Sequence, residues 1–169
     1  MLKKSILLAG FTGVLTLLIF LAFGIAAKLE GKKKTREKIQ TLPRPILFKT
    51  DSTVFQFPIG SPLLLIYFNS ECEYCQYELA EIRRNIQSFT NVEVVLISCE
   101  KISIIKDASK NFDVTNLPRM HFTKIASNDL FQAFGSLSLP HIFIYDKDNK
   151  LVKEFKGETK AEAILKYIP

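Results

Sequence analysis

The pattern of apolar and charged positions divides the chain into an uncharged N-terminal run, a charged segment and a longer alternating domain. Residues 5–27 contain no charged side chain. With a rise of about 1.5 Å per residue, a helix of this length covers the hydrocarbon layer of a bilayer, roughly 30 Å thick. We therefore predict a retained transmembrane anchor over these residues, preceded by a cytoplasmic flank at 1–4. A cleaved signal sequence is the alternative, because Gly24 and Ala26 resemble the small residues of a cleavage site.

A charged segment follows the predicted anchor. Residues 28–45, "KLEGKKKTREKIQTLPRP", carry almost no apolar side chain before Ile39. This composition is typical of a solvated linker, and Pro43 and Pro45 stiffen its end. The sequence therefore predicts a linker over 28–45 and a folded domain over 46–169.

Runs of β-branched and aromatic residues predict the strands of this domain. The run "PLLLIYF" (62–68) is apolar throughout, as expected for a strand that is covered on both faces. The other predicted strands lie at 92–98, 119–125, 141–146 and 151–157, with two shorter ones within 46–57. The polar "KDNK" between the last two predicts a hairpin.

Helical spacing separates these strands. An apolar stripe with steps of three and four residues follows the first buried run, and its members are Leu79, Ile82, Ile86 and Phe89. Further helices are predicted at 101–112, 127–135 and 159–168, the second capped by Ser127 or Asn128 and the last by Thr159. A strand–helix–strand unit followed by a hairpin and a helix predicts an α/β domain with parallel and antiparallel strands.

The charge distribution excludes one class of partner. The net charge is +6, but residues 1–45 hold nine Lys/Arg against two Asp/Glu, whereas residues 46–169 hold fourteen against fifteen. The domain therefore lacks the basic surplus that nucleic-acid binding requires. Three cysteines are also too few for a disulfide scaffold.

The Cys-x-x-C of "FNSECEYC" is the strongest candidate for chemistry. Cys72 and Cys75 follow a predicted buried strand and begin a predicted helix, whose N-terminus favours a thiolate. Zinc usually takes four ligands, and Cys99 and the two histidines stand at no recognised spacing. A structural disulfide is also disfavoured, because a bridge that encloses two residues constrains the unfolded chain little. Redox exchange is favoured, with Cys72 as the exposed nucleophile and Cys75 as the shielded resolving thiol.

The strand and cysteine pair "PLLLIYFNSECEYC", the "SLP" before "HIFIYD" and the hairpin–helix ending resemble the membrane-anchored, TlpA-like branch of the thioredoxin-fold proteins. The resemblance implies a thioredoxin-like fold, a central mixed sheet flanked by helices, after one transmembrane helix. It implies that Pro140 is cis and faces the cysteines, and that Leu139 binds the client backbone. Glu78, six residues after the first cysteine, matches a glutamate of the family's reductases. We also expect Tyr74, between the cysteines, to contact clients.

These residues lead to the prediction of a membrane-tethered thiol–disulfide oxidoreductase that acts as a reductase. Its expected partners are disulfide-containing or dithiol client proteins and a dithiol donor, and no cofactor is expected. The chain departs from many relatives by having no tryptophan before the pair, where Asn69-Ser70-Glu71 stands. Glu71 and Glu73 place negative charge around Cys72, which favours a reducing pair.

Two alternative functions follow from the same residues. A thioredoxin-fold copper chaperone would use Cys72, Cys75 and His141 as ligands. A peroxiredoxin-like thiol peroxidase would use one cysteine, although "NSEC" lacks the threonine and proline usual in that group. Cys99, which ends an apolar strand, is predicted to be a small buried residue with no redox role.

Two arguments about the location of the domain conflict. The lysines and arginine at 28–38 would keep the domain in the cytoplasm by the positive-inside rule. Disulfide exchange is instead typical of oxidising compartments, and the family that the chain resembles works there. We expect a single-pass membrane protein with the domain on the extracytoplasmic side.

Overall fold

The computed structural model describes the backbone of residues 2–112 and 119–168, and the side chains of residue 13 and of residues 15–112 and 119–168. These residues form two compact units, which divide between Glu37 and Lys38. In this described part of the chain, no helix combines the length and the apolarity needed to cross a membrane. The transmembrane helix over 5–27 stays a prediction.

The domain is built on one mixed sheet of six strands. The strands are β1 Phe48–Lys49, β2 Leu63–Tyr67, β3 Glu93–Ser98, β4 Met120–Lys124, β5 His141–Tyr145 and β6 Leu151–Lys156. Their order across the sheet is β1-β4-β3-β2-β5-β6. β2, β3 and β4 are parallel to one another, while β1, β5 and β6 pair antiparallel with their neighbours. The predicted combination of a parallel unit and a late hairpin is confirmed.

Helices of the domain cover both faces of this sheet. They are α2 Glu73–Arg84, α3 Ile102–Asn111, α4 Ser127–Phe134 and α5 Ala161–Leu165, with a short 3-10 turn at Ile86–Phe89. The first helix of the chain, α1 Leu2–Ile39, belongs to the N-terminal unit except for its last two residues. Along β2, Leu64 and Ile66 pack into a core with α2, α3 and α5, while Leu63 and Leu65 pack into a second core with α4. Because a strand alternates its side chains between two faces, the continuous apolar run of β2 serves both cores.

The predicted helix caps are wrong at two places. The cap of α4 is Ala126, not Ser127 or Asn128, and the cap of α5 is Lys160, not Thr159. The backbone N–H of Thr159 donates to Glu78 and its hydroxyl donates to the carbonyl of Gly157, so this residue is engaged before the helix begins. The cap motif is a local signal, and here a contact distant in sequence takes precedence.

The segment before the domain is helical over most of its length. Residues 28–39, within the predicted linker, are the last turns of α1, and the linker bounds themselves stay a prediction. Ile39 and Leu42 are buried in the second core, and the Tyr145 hydroxyl donates to the carbonyl of Ile39 over 3.2 Å. Two short strands were predicted within 46–57, but only β1 forms there, and Val54 makes a single bridge to Phe48.

Candidate active site

The cysteine pair lies where β2 gives way to α2. Cys72 is the residue that caps α2, and its Sγ accepts a hydrogen bond from the backbone N–H of Cys75 over 3.2 Å. Its carbonyl accepts from the N–H of Gln76 over 3.0 Å, so the first turn of the helix is closed around this sulfur. The helix N-terminus therefore directs a backbone donor at Cys72 Sγ, as the sequence predicted.

The two cysteines differ in exposure. Both are free thiols; Cys72 is partly exposed, and Cys75 is only 1% exposed. Burial raises the pKa of Cys75 to about 12, with further contributions from the hydrogen bond to Cys72 and from the charge on Glu78. This arrangement offers Cys72 to an incoming disulfide and holds Cys75 behind it as a protonated thiol.

The carboxylate of Glu100, two residues after the end of β3, holds the loop that precedes Cys72. It accepts hydrogen bonds from the Ser70 backbone N–H over 2.9 Å and from the Ser70 hydroxyl over 2.6 Å. It also accepts from the Ser98 hydroxyl over 2.9 Å, and Gln76 donates its side-chain N–H to the Ser70 carbonyl over 2.7 Å. The loop is thus fixed from β3 on one side and from α2 on the other.

Glu78 is a fully buried carboxyl group one turn after Cys75. Its Oε2 accepts a hydrogen bond from the Thr159 N–H over 2.6 Å, while its Oε1 is buried without a hydrogen-bond partner. Burial raises the pKa of Glu78 to about 7, against the lowering effect of the Thr159 hydrogen bond. A group with this pKa exchanges a proton readily near neutral pH, and one of its oxygens is open to a proton partner.

The loop before β5 provides a second exposed feature beside strand β2. The Leu139–Pro140 peptide bond is cis, as the resemblance implied. Pro140 is buried, whereas Leu139 is 38% exposed. β5 begins directly after this loop, and its first residue, His141, is the register partner of Tyr67 at the end of β2.

The family model for the thioredoxin-like domain matches residues 59–169, which is more than half of the chain. The chain belongs to the thioredoxin-like family. The match contains both cysteines, Glu78 and the Leu139–Pro140 loop. The thioredoxin-like fold that the sequence predicted is confirmed.

One protein is similar to this chain in sequence, and one solved structure is similar to it in fold. The thiol–disulfide oxidoreductase ResA of Bacillus thuringiensis is 22% identical over 112 residues, 64% of this chain and 62% of ResA. The match thus spans less than two thirds of that relative's length. The crystal structure of StoA from Bacillus subtilis aligns with a TM-score of 0.59 at 16% identity, over 75% of this chain and 99% of StoA.

The fold alone does not separate the possible thioredoxin-like activities. A peroxiredoxin-like protein from Aquifex aeolicus aligns with a TM-score of 0.64 at 12% identity, over 76% of this chain and 84% of that protein. Likenesses of this degree establish the fold and leave the chemistry to the residues of the site.

The copper-chaperone alternative does not match the geometry of this thioredoxin-like domain. Both ring nitrogens of His141 have protein partners, Glu154 at 2.7 Å and Ser138 at 3.3 Å. Within residues 2–112 and 119–168, no group of three or more His, Cys, Asp or Glu side chains is arranged to hold a metal ion.

Cys99 is less buried than the sequence predicted. Its side chain is partly exposed. Burial raises the pKa of Tyr67 to about 12, with smaller contributions from Cys99 and Cys75. Tyr67 therefore remains a neutral phenol near neutral pH.

Sequence reasoning brought Cys72, Cys75 and Glu78 together correctly as one segment of a helix. Tyr74, between the cysteines, is 64% exposed. Its role in client contact stays a prediction. The sequence analysis did not assign a role to Glu100. Its position just beyond the end of a parallel strand was the available signal, because binding sites of α/β proteins form at the carboxyl ends of such strands.

Proposed function

We propose that this protein is a thiol–disulfide oxidoreductase that uses Cys72 and Cys75 to reduce disulfides in client proteins. The observation that carries the proposal is the asymmetry of the pair, an accessible sulfur at the start of α2 with a buried thiol one turn behind it. The relationship to ResA, which is named a thiol–disulfide oxidoreductase, supports the same activity.

The reaction divides into two exchanges. The Cys72 thiolate attacks one sulfur of the client disulfide, which forms a mixed disulfide and releases the other client sulfur as a thiolate. Cys75 then attacks Cys72 Sγ, so that the Cys72–Cys75 disulfide forms and the second client sulfur leaves. The client gains two electrons and takes up two protons, and an external dithiol donor returns the enzyme to its reduced form.

The second exchange needs a proton acceptor. Cys75 has a pKa of about 12, so its proton must be removed as its sulfur attacks. Glu78 is the buried carboxyl group one turn away, with a pKa of about 7 and a free oxygen. We assign it the role of accepting the Cys75 proton and returning it when the pair is reduced.

The proposed direction is reduction. A pair becomes a strong oxidant when its reduced form is stabilised, usually as a thiolate. Here Cys75 is buried and its pKa is raised. Its environment therefore disfavours a thiolate, and this supports a reducing pair.

Insulin reduction with dithiothreitol as the electron donor tests the activity. Wild type is expected to accelerate insulin precipitation, and Cys72→Ser is expected to abolish this turnover. Cys75→Ser keeps the nucleophile without the resolving thiol. When it is reduced beforehand, freed of dithiothreitol and then mixed with insulin, it should accumulate a mixed disulfide that Cys72→Ser does not form. The assignment of the nucleophile is wrong if Cys72→Ser still reduces insulin, and Cys99→Ala is the matched control.

We also propose that residues 5–27 tether the domain to a membrane, with the domain on the extracytoplasmic side. The uncharged run in the sequence and the need of the reaction for disulfide-containing clients support this location. Protease added to cells whose outer layers alone are opened should digest the domain and spare a cytoplasmic marker protein. Protection of the domain until the inner membrane is dissolved would reverse the topology.

A further inference from the structure

The loop that carries Leu139 has a side-chain support that sequence reasoning did not assign. This loop, residues 135–140, connects the end of α4 to β5 and contains neither helix nor strand. At its end, the Pro140 carbonyl accepts a backbone hydrogen bond over 2.9 Å from the N–H of Gly157, the residue that follows β6. At Ser138, one residue before Leu139, the support comes from the ring of His141.

The ring of His141 is held on several sides. The residue is 1% exposed, and its ring stacks on Phe143 with centroids 4.7 Å apart. Its Nδ1 lies 3.3 Å from both the backbone nitrogen and the hydroxyl of Ser138. Its Nε2 lies 2.7 Å from Glu154 Oε1, to which Lys156 also approaches within 3.3 Å.

These contacts determine the tautomer. A backbone N–H can only donate, so the Nδ1 of His141 accepts from Ser138. In the neutral ring the proton then lies on Nε2, which donates to Glu154. Burial lowers the pKa of His141, against the raising effect of Glu154, and this supports a neutral ring at neutral pH.

We propose that His141 is a positioning residue for client binding, which holds Ser138 through Nδ1 and is itself oriented through Nε2 by Glu154. The inference rests on the proposed function and on the prediction, implied by the family resemblance, that Leu139 binds the client backbone. When Ser138 N–H loses its acceptor, the adjacent Leu139 backbone loses its fixed orientation, and the enzyme binds protein clients less well. The cysteine pair itself is unaffected, because neither ring nitrogen contacts a sulfur.

Two nearly isosteric variants separate the two ring contacts. In His141→Asn the side-chain oxygen can occupy the position of Nδ1 and accept from Ser138, while the contact to Glu154 is lost. In His141→Gln the amide reaches the position of Nε2, so the contact to Glu154 is kept and the acceptor for Ser138 is lost. Loss of one hydrogen bond of this kind corresponds to about a five-fold weakening of client binding.

The full-length protein in mild detergent is assayed with two substrates. One is insulin, and the other is 5,5′-dithiobis(2-nitrobenzoic acid), a small disulfide without a peptide backbone. His141→Gln is expected to raise the KM for insulin about five-fold with kcat unchanged, and His141→Asn is expected to keep the wild-type KM. Both variants should react with the small disulfide at the wild-type rate, as should the control Glu162→Gln on the exposed face of α5. Equal KM values for all proteins, or equal loss in both His141 variants, would overturn the inference.

The outcome of the small-disulfide reaction distinguishes this inference from the proposed function. A wild-type protein that reacts with neither disulfide refutes the proposed function and the inference together. A wild-type protein that reduces both, with no difference between the His141→Asn and His141→Gln variants, refutes the inference alone. If the variants do not fold, nitrogen NMR of wild-type His141 decides the matter, since protonated Nδ1 at neutral pH contradicts the inference and protonated Nε2 supports it.

Discussion

Glu78→Gln tests whether ionisation of the buried carboxyl group near Cys75 destabilises the folded protein, as its raised pKa implies. The substitution keeps the size of the side chain and an oxygen that can accept from Thr159 N–H. It removes the ability to ionise. The comparison between wild type and the Glu78→Gln variant therefore isolates the cost of a carboxylate at a position that is 0% exposed.

The expected magnitude follows from the pKa. Burial raises the pKa of Glu78 from 4.5 to about 7. At about 1.4 kcal/mol per pKa unit, the ionised group lowers the free energy of unfolding by about 3 kcal/mol relative to the protonated group. The folded-state pKa is the higher one, so the folded protein favours the protonated carboxyl group. The stability that the protonated group contributes is fully present below pH 4.5 and is lost as the pH rises through about 7.

Urea unfolding of the reduced, full-length proteins in mild detergent at pH 4.5 and pH 8 measures this effect. Between these two values, the free energy of unfolding of Glu78→Gln should gain about 3 kcal/mol relative to wild type. His141 and all other titrating groups are common to both proteins, so their contributions cancel in the difference. Glu162→Gln, a carboxylate-to-amide change at an exposed position of α5, should follow the wild-type curve. Parallel curves for wild type and Glu78→Gln would refute the reasoning.

Three further predictions concern the surroundings of the pair. Cys99→Ala should keep the wild-type rate of insulin reduction, because the proposed exchange uses only Cys72 and Cys75; a rate reduced ten-fold would assign the third thiol a part. Glu100→Ala should lower the free energy of unfolding by about 2 kcal/mol in denaturant titrations, because the Ser70 N–H loses a charged acceptor. Ile82→Ala, on the buried face of α2, should lower the free energy of unfolding by about 3 kcal/mol, whereas the same change at exposed Ile104 should lower it by less than about 1 kcal/mol.

The parts of the site that the sequence predicts well are those formed by neighbouring residues. Cys72, Cys75 and Glu78 belong to one helical segment, so their spacing alone determines that they lie on adjacent turns. The buried strands of the sheet were predicted equally well, since a continuous apolar run such as Leu63–Tyr67 indicates a strand covered on both faces.

Contacts between distant segments could not be predicted in this way. Ser70 meets Glu100 across thirty residues, and Glu78 meets Thr159 across eighty-one. The second contact also explains why Thr159 does not cap α5. Each of these pairs depends on the order of strands in the sheet and on the helix packed across it, and no local pattern encodes that order.

The contacts of His141 show the same limit. Its register partner Lys156 and its acceptor Glu154 lie on β6, and the pairing of β5 with β6 contains a register irregularity near Tyr145. A change of one residue in that register would turn Glu154 to the other face of the sheet. The sequence predicted the hairpin, but only the structure determines which side chain of β6 faces the ring.

The oxidation state of the three cysteines after a single turnover shows whether Cys72 and Cys75 carry the exchange. The fully reduced, full-length protein is mixed with one equivalent of insulin, quenched with acid, alkylated and digested for mass spectrometry. We expect a disulfide that joins Cys72 to Cys75, with Cys99 alkylated. Alkylation of both Cys72 and Cys75 after insulin has been reduced, or a disulfide that includes Cys99, would refute the proposed exchange.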